Sequence, residues 1–214
     1  MVKMNALDVE SFDVLSKNTL VLDTRQPAVF TNEFIPHSVN IGLGEHFIEW
    51  IQRLIPKDTP LSVVADENDI SDTYVILEGL GYQNIMGHLL GGASAWKTAG
   101  KAIDMIIDVS EDEVALDLRF DDKILLVDVR EPIEFDQAHI DNAENLPLHK
   151  IIDPLQIALL DENSNIYVYC DNGYRSTIAC SVFKKEGFHN IRHIIGGFNA
   201  IDKNSKIKIV SPKK

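Results

Sequence analysis

Short apolar runs alternate with amphipathic stretches along the whole chain. Ile124 to Asp128 has the length and composition of a buried strand, and Pro132 follows where its missing N–H is harmless in the first turn of a helix. His149 to Leu160 carries apolar residues at helical spacing, which predicts a helix there. Ile166 to Tyr169 is a β-branched and aromatic run bounded by polar residues, and Ser176 to Glu186 reads as a helix closed by Gly187. Repeated alternation of this kind predicts an α/β fold with parallel strands covered by helices on both faces.

The pattern occurs twice, at an offset of 105 residues. Val21-Leu22-Asp23-Thr24-Arg25-Gln26-Pro27 falls on Leu126-Val127-Asp128-Val129-Arg130-Glu131-Pro132, and the same register sets Phe30 on Phe135, Ile35 on Ile140, Asn40 on Asn145 and Leu43 on Leu148. Further along, Leu61 to Asp66 falls on Ile166 to Asp171, and Gly91-Gly92 on Gly196-Gly197. Two copies of one domain, residues 1–104 and 105–214, are the simplest account. The join lies near Gly100 to Ser110, where Ser110-Glu111-Asp112-Glu113 opens the second copy's first helix as a capping box.

Composition narrows the function classes. With 45% hydrophobic and 25% charged residues in 214, each half has enough chain for a core of its own. No apolar run approaches the roughly 18 to 20 residues of a membrane span, and the opening MVKMNALDVESF lacks an apolar signal core. The expectation is a cytoplasmic protein without a membrane contact. A formal net charge of -13 argues against a nucleic-acid partner, since phosphate binding needs a basic stripe. Neither half supplies one: Lys and Arg number 6 against 13 Asp and Glu up to Gly100, and 14 against 20 after it. The basic tail of Lys203, Lys206, Lys208, Lys213 and Lys214 reads as a solvated end. Two cysteines, Cys170 and Cys180, cannot make a disulfide framework, and read as one reactive and one buried thiol.

The chemistry concentrates in Cys170-Asp171-Asn172-Gly173-Tyr174-Arg175-Ser176, between a strand and a helix. A helix N-terminus offers unpaired N–H groups and the positive end of its dipole, so a cysteine held there has its thiolate stabilised. Arg175 adds a positive charge, and Gly173 allows a backbone turn in which successive amides form an anion cradle. Cys180 lacks such company and reads as a core thiol.

This loop resembles the Cys-x-x-Gly-x-Arg-Ser active-site loop of the rhodanese family of sulfurtransferases. Asp128-Val129-Arg130-Glu131 with Phe135, His139-Ile140, Ala143 and Asn145 resembles that family's Asp-x-Arg and Gly-His-Ile-Pro-Gly-Ala segment, and Gly196-Gly197-Phe198 its closing Gly-Gly motif. Ala138 and Asp141 stand where Gly and Pro are usual, and Ile201 where Trp is frequent. The resemblance implies two rhodanese-like domains, each a parallel sheet flanked by helices on both faces, and a reaction with no cofactor or metal. In it Cys170 takes the outer sulfur of thiosulfate or a low-molecular-weight persulfide as a cysteine persulfide and passes it to a thiol or cyanide acceptor. Cys170 and Arg175 would be catalytic, Asp171, Asn172, Gly173, Tyr174 and Ser176 would bind the substrate, and Asp128 and Arg130 would support the loop. A low-pKa thiolate needs no base, so His139 reads as a packed neighbour.

The first copy has lost the chemistry. Ala65 stands for Cys170, Asn68 for Gly173, Ile70 for Arg175 and Phe34 for His139, while Asp66, Glu67 and Asp69 make its loop acidic. It is expected to be catalytically inactive, with a packing or docking role. Its segments Pro36 to Ile41, Phe47 to Trp50 and Gly91 to Trp96 resemble the first of two rhodanese domains behind a metallo-β-lactamase-fold persulfide dioxygenase. The chain is therefore either a tandem protein in its own right or the C-terminal part of such a fusion, in which it would act as an accessory sulfur-binding module. A cysteine phosphatase or arsenate reductase is the enzymatic rival, but those loops place five residues between Cys and Arg where four intervene here.

Overall fold

In the computed structural model, which describes residues 4–211, the chain divides into two compact units, Met1–Met105 and Ile106–Lys214. Lys213 and Lys214 of the basic tail lie outside the described residues. In the first unit, strands β1 (Ala6–Leu7), β2 (Leu20–Asp23), β3 (Val39–Asn40), β4 (Leu61–Val64) and β5 (Ile85–Leu89) form one parallel sheet in the order β1-β5-β4-β2-β3. Every residue of β4 is buried, as a central parallel strand covered on both faces must be. Helices α1 (Val9–Ser16), α2 (Pro27–Asn32), α3 (Phe47–Leu54), α4 (Ile70–Gly79) and α5 (Gly92–Thr98) connect and cover the strands. Phe12, Val21, Ile35, Val64, Leu89 and Trp96 pack into one core.

The second unit repeats the plan. Strands β6 (Ile107–Val109), β7 (Ile124–Asp128), β8 (His139–Ile140), β9 (Glu144–Asn145), β10 (Asn165–Tyr169), β11 (Ile191–Ile194) and β12 (Ile209–Val210) alternate with α6 (Glu111–Asp117), α7 (Pro132–Gln137), α8 (Pro154–Ile157), α9 (Tyr174–Lys185) and α10 (Gly197–Ile201). The main sheet is parallel in the order β6-β11-β10-β7-β9, and β8 and β12 make a separate antiparallel pair. Ser110 and Glu113 form the expected capping box, the Ser110 side chain accepting the Glu113 N–H.

One expected helix is broken. His149 to Leu160 holds a 3₁₀ turn (Leu148–Lys150) and the four-residue α8, with Asp153 extended between them. Pro154 excludes the helical region at the residue before it, and the Asp153 side chain caps the new start by accepting the Leu155 N–H at 3.0 Å. Among the described residues no helix is long and apolar enough to cross a membrane.

The connection after β7 runs to one side of the sheet and that after β10 to the other. The carboxyl ends of these adjacent strands thus open on a topological switch point, where α/β sheets form their crevice.

Candidate active site

Cys170 follows directly on β10, and Gly173, with φ 107, starts α9. A side chain would be strained at that φ, and a Cβ there would also crowd His193 Nε2 at 3.3 Å. The turn brings two donors to the sulfur: the Gly173 N–H at 3.2 Å and the Ser176 hydroxyl at 3.4 Å. Cys170 itself is fully buried, whereas Asn172 is exposed and Asp171, Tyr174 and Arg175 are half-buried. The Asn172 side chain folds back to accept the Tyr174 N–H at 3.2 Å, tightening the turn.

The loop is held from behind by the Gly-Gly segment. The Phe198 N–H donates to the Cys170 carbonyl at 2.7 Å and the Asn199 N–H to that of Asp171 at 3.1 Å, so these carbonyls point into the start of α10 and away from the sulfur. The approach is so close that a Cβ on Gly197 would overlap the Cys170 carbonyl oxygen and come within 2.8 Å of that of Asp171.

Arg175 is not the free cation its position in the loop suggests. Its guanidinium makes a two-pronged ion pair with Glu134 of α7, Nη1 to Oε2 at 2.7 Å and Nη2 to Oε1 at 2.8 Å. The Arg175 hydrogen bonds hold the Glu134 carboxyl below its usual range. Burial alone would lower the Arg175 pKa, but the hydrogen bonds to Glu134 and the charge of that carboxylate outweigh it and hold the guanidinium firmly protonated. Glu134 escapes a reading of the loop by itself. The repeat carries the signal, since Val29 stands for Glu134 where Ile70 stands for Arg175, so both partners are missing together.

Asp128 and Arg130 are buried at the end of β7. Arg130 donates to both oxygens of Asp128, with Nη2 to Oδ2 at 2.7 Å, and to the Ala138 carbonyl at 2.7 Å. Asn145 bonds the carbonyls of both residues at 3.0 Å, and the guanidinium lies 4.0 Å from the Phe198 ring centroid. The first unit repeats this cluster: Arg25 Nη2 meets Asp23 Oδ2 at 2.6 Å, and Asn40 donates to the carbonyls of Asp23 and Arg25 at 3.0 and 2.9 Å. A copy without the cysteine keeps these hydrogen bonds, though Ala93 stands for Phe198 and the ring contact is absent, so the bonds serve to tie the β2–β3 and β7–β9 edges together. His139 is stacked on Phe135 at 3.7 Å, its Nδ1 2.8 Å from the Phe135 carbonyl oxygen.

Burial pushes the Cys180 thiol well up, which keeps it protonated and inert. At the matching place in the first unit lies a cleft of about 250 Å³ bordered by Arg25, Ala65, Asp66, Glu67 and Gly92, in which a 3₁₀ turn (Glu67–Asp69) replaces the glycine start of the helix. Among the described residues no group of three or more His, Cys, Asp or Glu side chains could hold a metal ion.

The Rhodanese-like domain family matches the chain twice, over residues 10–99 and 110–204. Among curated relatives, a sulfurtransferase of Allochromatium vinosum is 28% identical over 109 residues, 51% of this chain and 99% of its own length. A putative mitochondrial thiosulfate sulfurtransferase of Schizosaccharomyces pombe is 35% identical over 101 residues, covering 41% of this chain and 68% of the relative. The probable adenylyltransferase/sulfurtransferase MoeZ of Mycobacterium tuberculosis is 38% identical over 78 residues, 36% of this chain, and the match spans only 20% of that relative's length. A solved thiosulfate sulfurtransferase from Pseudomonas aeruginosa aligns with 99% of this chain and 44% of its own, at 18% identity and a TM-score of 0.44.

Proposed function

The chain belongs to the rhodanese-like family in both of its halves, and on that premise we propose that it is a sulfurtransferase working through a persulfide on Cys170. The observation that carries this reading is the sulfur's own surroundings: Cys170 Sγ receives a backbone N–H and a hydroxyl at the start of the twelve-residue helix α9. Donors fixed in advance around a sulfur stabilise its anionic form without reorganisation during the reaction.

The steps follow from that arrangement. The Cys170 thiolate attacks the outer sulfur of thiosulfate or of a low-molecular-weight persulfide. A new S–S bond forms, the donor's S–S bond breaks, and sulfite or a thiolate leaves with the electron pair. A thiol or cyanide then attacks the outer sulfur of the Cys170 persulfide, and the Cys170 thiolate departs into the same two hydrogen bonds. Arg175 gives the anionic donor a positive edge, moderated by Glu134, and the exposed rim of Asp171, Asn172 and Tyr174 meets the rest of the donor. The first unit, with Ala65 at the nucleophile's place, takes no part in this chemistry and serves for packing or docking.

Mass spectrometry of the intact protein after thiosulfate treatment tests the reading. One added sulfur atom located on Cys170, removed again by cyanide, is the expected result. A Cys170 that stays unmodified with thiosulfate and with glutathione persulfide would overturn it.

A further inference from the structure

The carbonyl oxygen of Gly173 is crowded with donors. The Thr177 N–H at 3.0 Å, the Ser176 hydroxyl at 3.0 Å, the Thr177 hydroxyl at 2.9 Å and His193 Nε2 at 3.1 Å all reach it. A carbonyl oxygen offers two lone pairs, so these four groups compete. Two of them have a second partner: the Thr177 hydroxyl lies 3.4 Å from His193 Nε2, and the Ser176 hydroxyl reaches Cys170 Sγ at 3.4 Å. Whatever satisfies Gly173 decides where the Ser176 proton points.

His193 is aimed at that carbonyl by Asp108. β11 and β6 set the two residues side by side in register, and His193 Nδ1 lies 2.7 Å from Asp108 Oδ1. The ring thus bridges a carboxylate at Nδ1 and, at Nε2, the Gly173 carbonyl oxygen, with the Thr177 hydroxyl 3.4 Å from the same nitrogen. The first unit supplies the contrast. His88 stands where His193 stands, but β1 sets Ala6 beside it, its Nδ1 lies 3.3 Å from the Tyr74 hydroxyl, and Asn68 replaces Gly173. The fold thus accommodates this histidine without the loop contact, which occurs in the copy that has the cysteine.

We propose that Asp108 and His193 are positioning residues for the sulfur site: His193 saturates the Gly173 carbonyl and thereby releases the Ser176 hydroxyl to Cys170 Sγ. This role rests on the sulfur-transfer reading, since it is the thiolate, formed before attack and again when the acceptor takes the sulfur, that benefits from the extra donor. Neither residue touches donor or acceptor. Their effect is therefore on turnover and not on donor binding.

A double-mutant cycle on thiosulfate-to-cyanide transfer tests the coupling. In the otherwise unaltered protein, Ser176→Ala should lower kcat about tenfold, as expected for a hydrogen bond to a charged group. In a His193→Leu background the hydroxyl returns to Gly173, and the same substitution should cost less than about threefold. The KM for thiosulfate should hold throughout, and His193→Gln, which keeps a side-chain N–H, should recover part of the lost kcat. Asp108→Ala, with its side chain 30% exposed, probes the same pair at less risk to folding and should reproduce the loss of kcat. Equal costs of Ser176→Ala in both backgrounds, or unchanged kcat in both His193→Leu and Asp108→Ala, would overturn the proposal while leaving sulfur transfer intact. Loss of the sulfur-transfer reading has a different signature, namely no transfer in the unaltered protein or full transfer in Cys170→Ser.

Discussion

Arg175→Ala should do more harm than the loss of one cation, and a second substitution should undo part of it. The guanidinium and Glu134 are joined by two charge-assisted bonds of 2.7 and 2.8 Å, with side chains only 16% and 31% exposed. Removing the arginine leaves the carboxylate without its paired guanidinium, held by the Glu131 N–H at 3.0 Å. Hydrogen bonds to charged groups contribute about 1.5–3 kcal/mol each, and water can reach part of Glu134, so the cost in stability belongs at the low end, about 2–3 kcal/mol. The effect on chemistry is electrostatic. In an effective dielectric of about 20 two unit charges about 4 Å apart interact by about 4 kcal/mol, falling as the inverse of the separation, so a charge felt by Cys170 can reach the roughly 1.4 kcal/mol that makes about tenfold in rate. The pair is neutral in the unaltered protein, negative in Arg175→Ala, and neutral again in Arg175→Ala/Glu134→Gln. For anionic thiosulfate, kcat/KM should fall at least about tenfold in the single variant and recover about tenfold in the double variant. Steady-state assays on the three proteins, with urea unfolding in parallel, decide the matter. A double variant as slow as Arg175→Ala, or slower, would refute the claim that the stranded carboxylate is the cause.

Three further outcomes are expected. Cys170→Ser should abolish thiosulfate-to-cyanide transfer while Cys180→Ala keeps most of it, and Ala65→Cys in a Cys170→Ser background should show no turnover in the same assay, because Asn68 and Ile70 provide no cradle. Gly197→Ala should lose transfer and at least about 2 kcal/mol of stability by urea unfolding, since its Cβ meets loop backbone that cannot move aside, whereas Gly100→Ala, with open space around it, should lose only the modest strain of a positive φ. Glu134 has a folded pKa below its ordinary 4.5, so its contribution to stability is present above 4.5 and is lost as pH falls through the folded value; Glu134→Gln should flatten that acid limb in a pH series of unfolding curves.

What could be read from the sequence was local. β7, β10, α9 and the Ser110 cap each announce themselves within a few neighbouring residues, and so does the Cys170 turn, because a glycine start and a helix N-terminus are short-range devices. The helix expected over 149–160 is broken for an equally local reason: Pro154 ends one turn and starts another despite the helical apolar spacing. The partners of the site were hidden because they arrive from afar. Glu134 is 41 residues from Arg175 and Asp108 is 85 from His193. Only comparison of the two copies exposes the first pair, through Val29 and Ile70. The Asp128 and Arg130 motif carried the opposite ambiguity. Its place beside the loop predicts a supporting role, and the duplicate at Asp23 and Arg25 keeps the same hydrogen bonds in a copy without the cysteine.

If Cys170 carries the sulfur as proposed, its complete burial also bears on which atom of the persulfide would react. A persulfide has two electrophilic sulfurs. Attack on the inner one would expel hydrosulfide and leave the enzyme as a mixed disulfide with its acceptor, a dead end that a second thiol must clear. On the proposed reading the inner sulfur would stay covered by Gly173 and Ser176, and the outer atom would be the one that projects toward a nucleophile. The cover would thus act as a regiochemical filter, favouring productive release of the cargo over capture of the carrier.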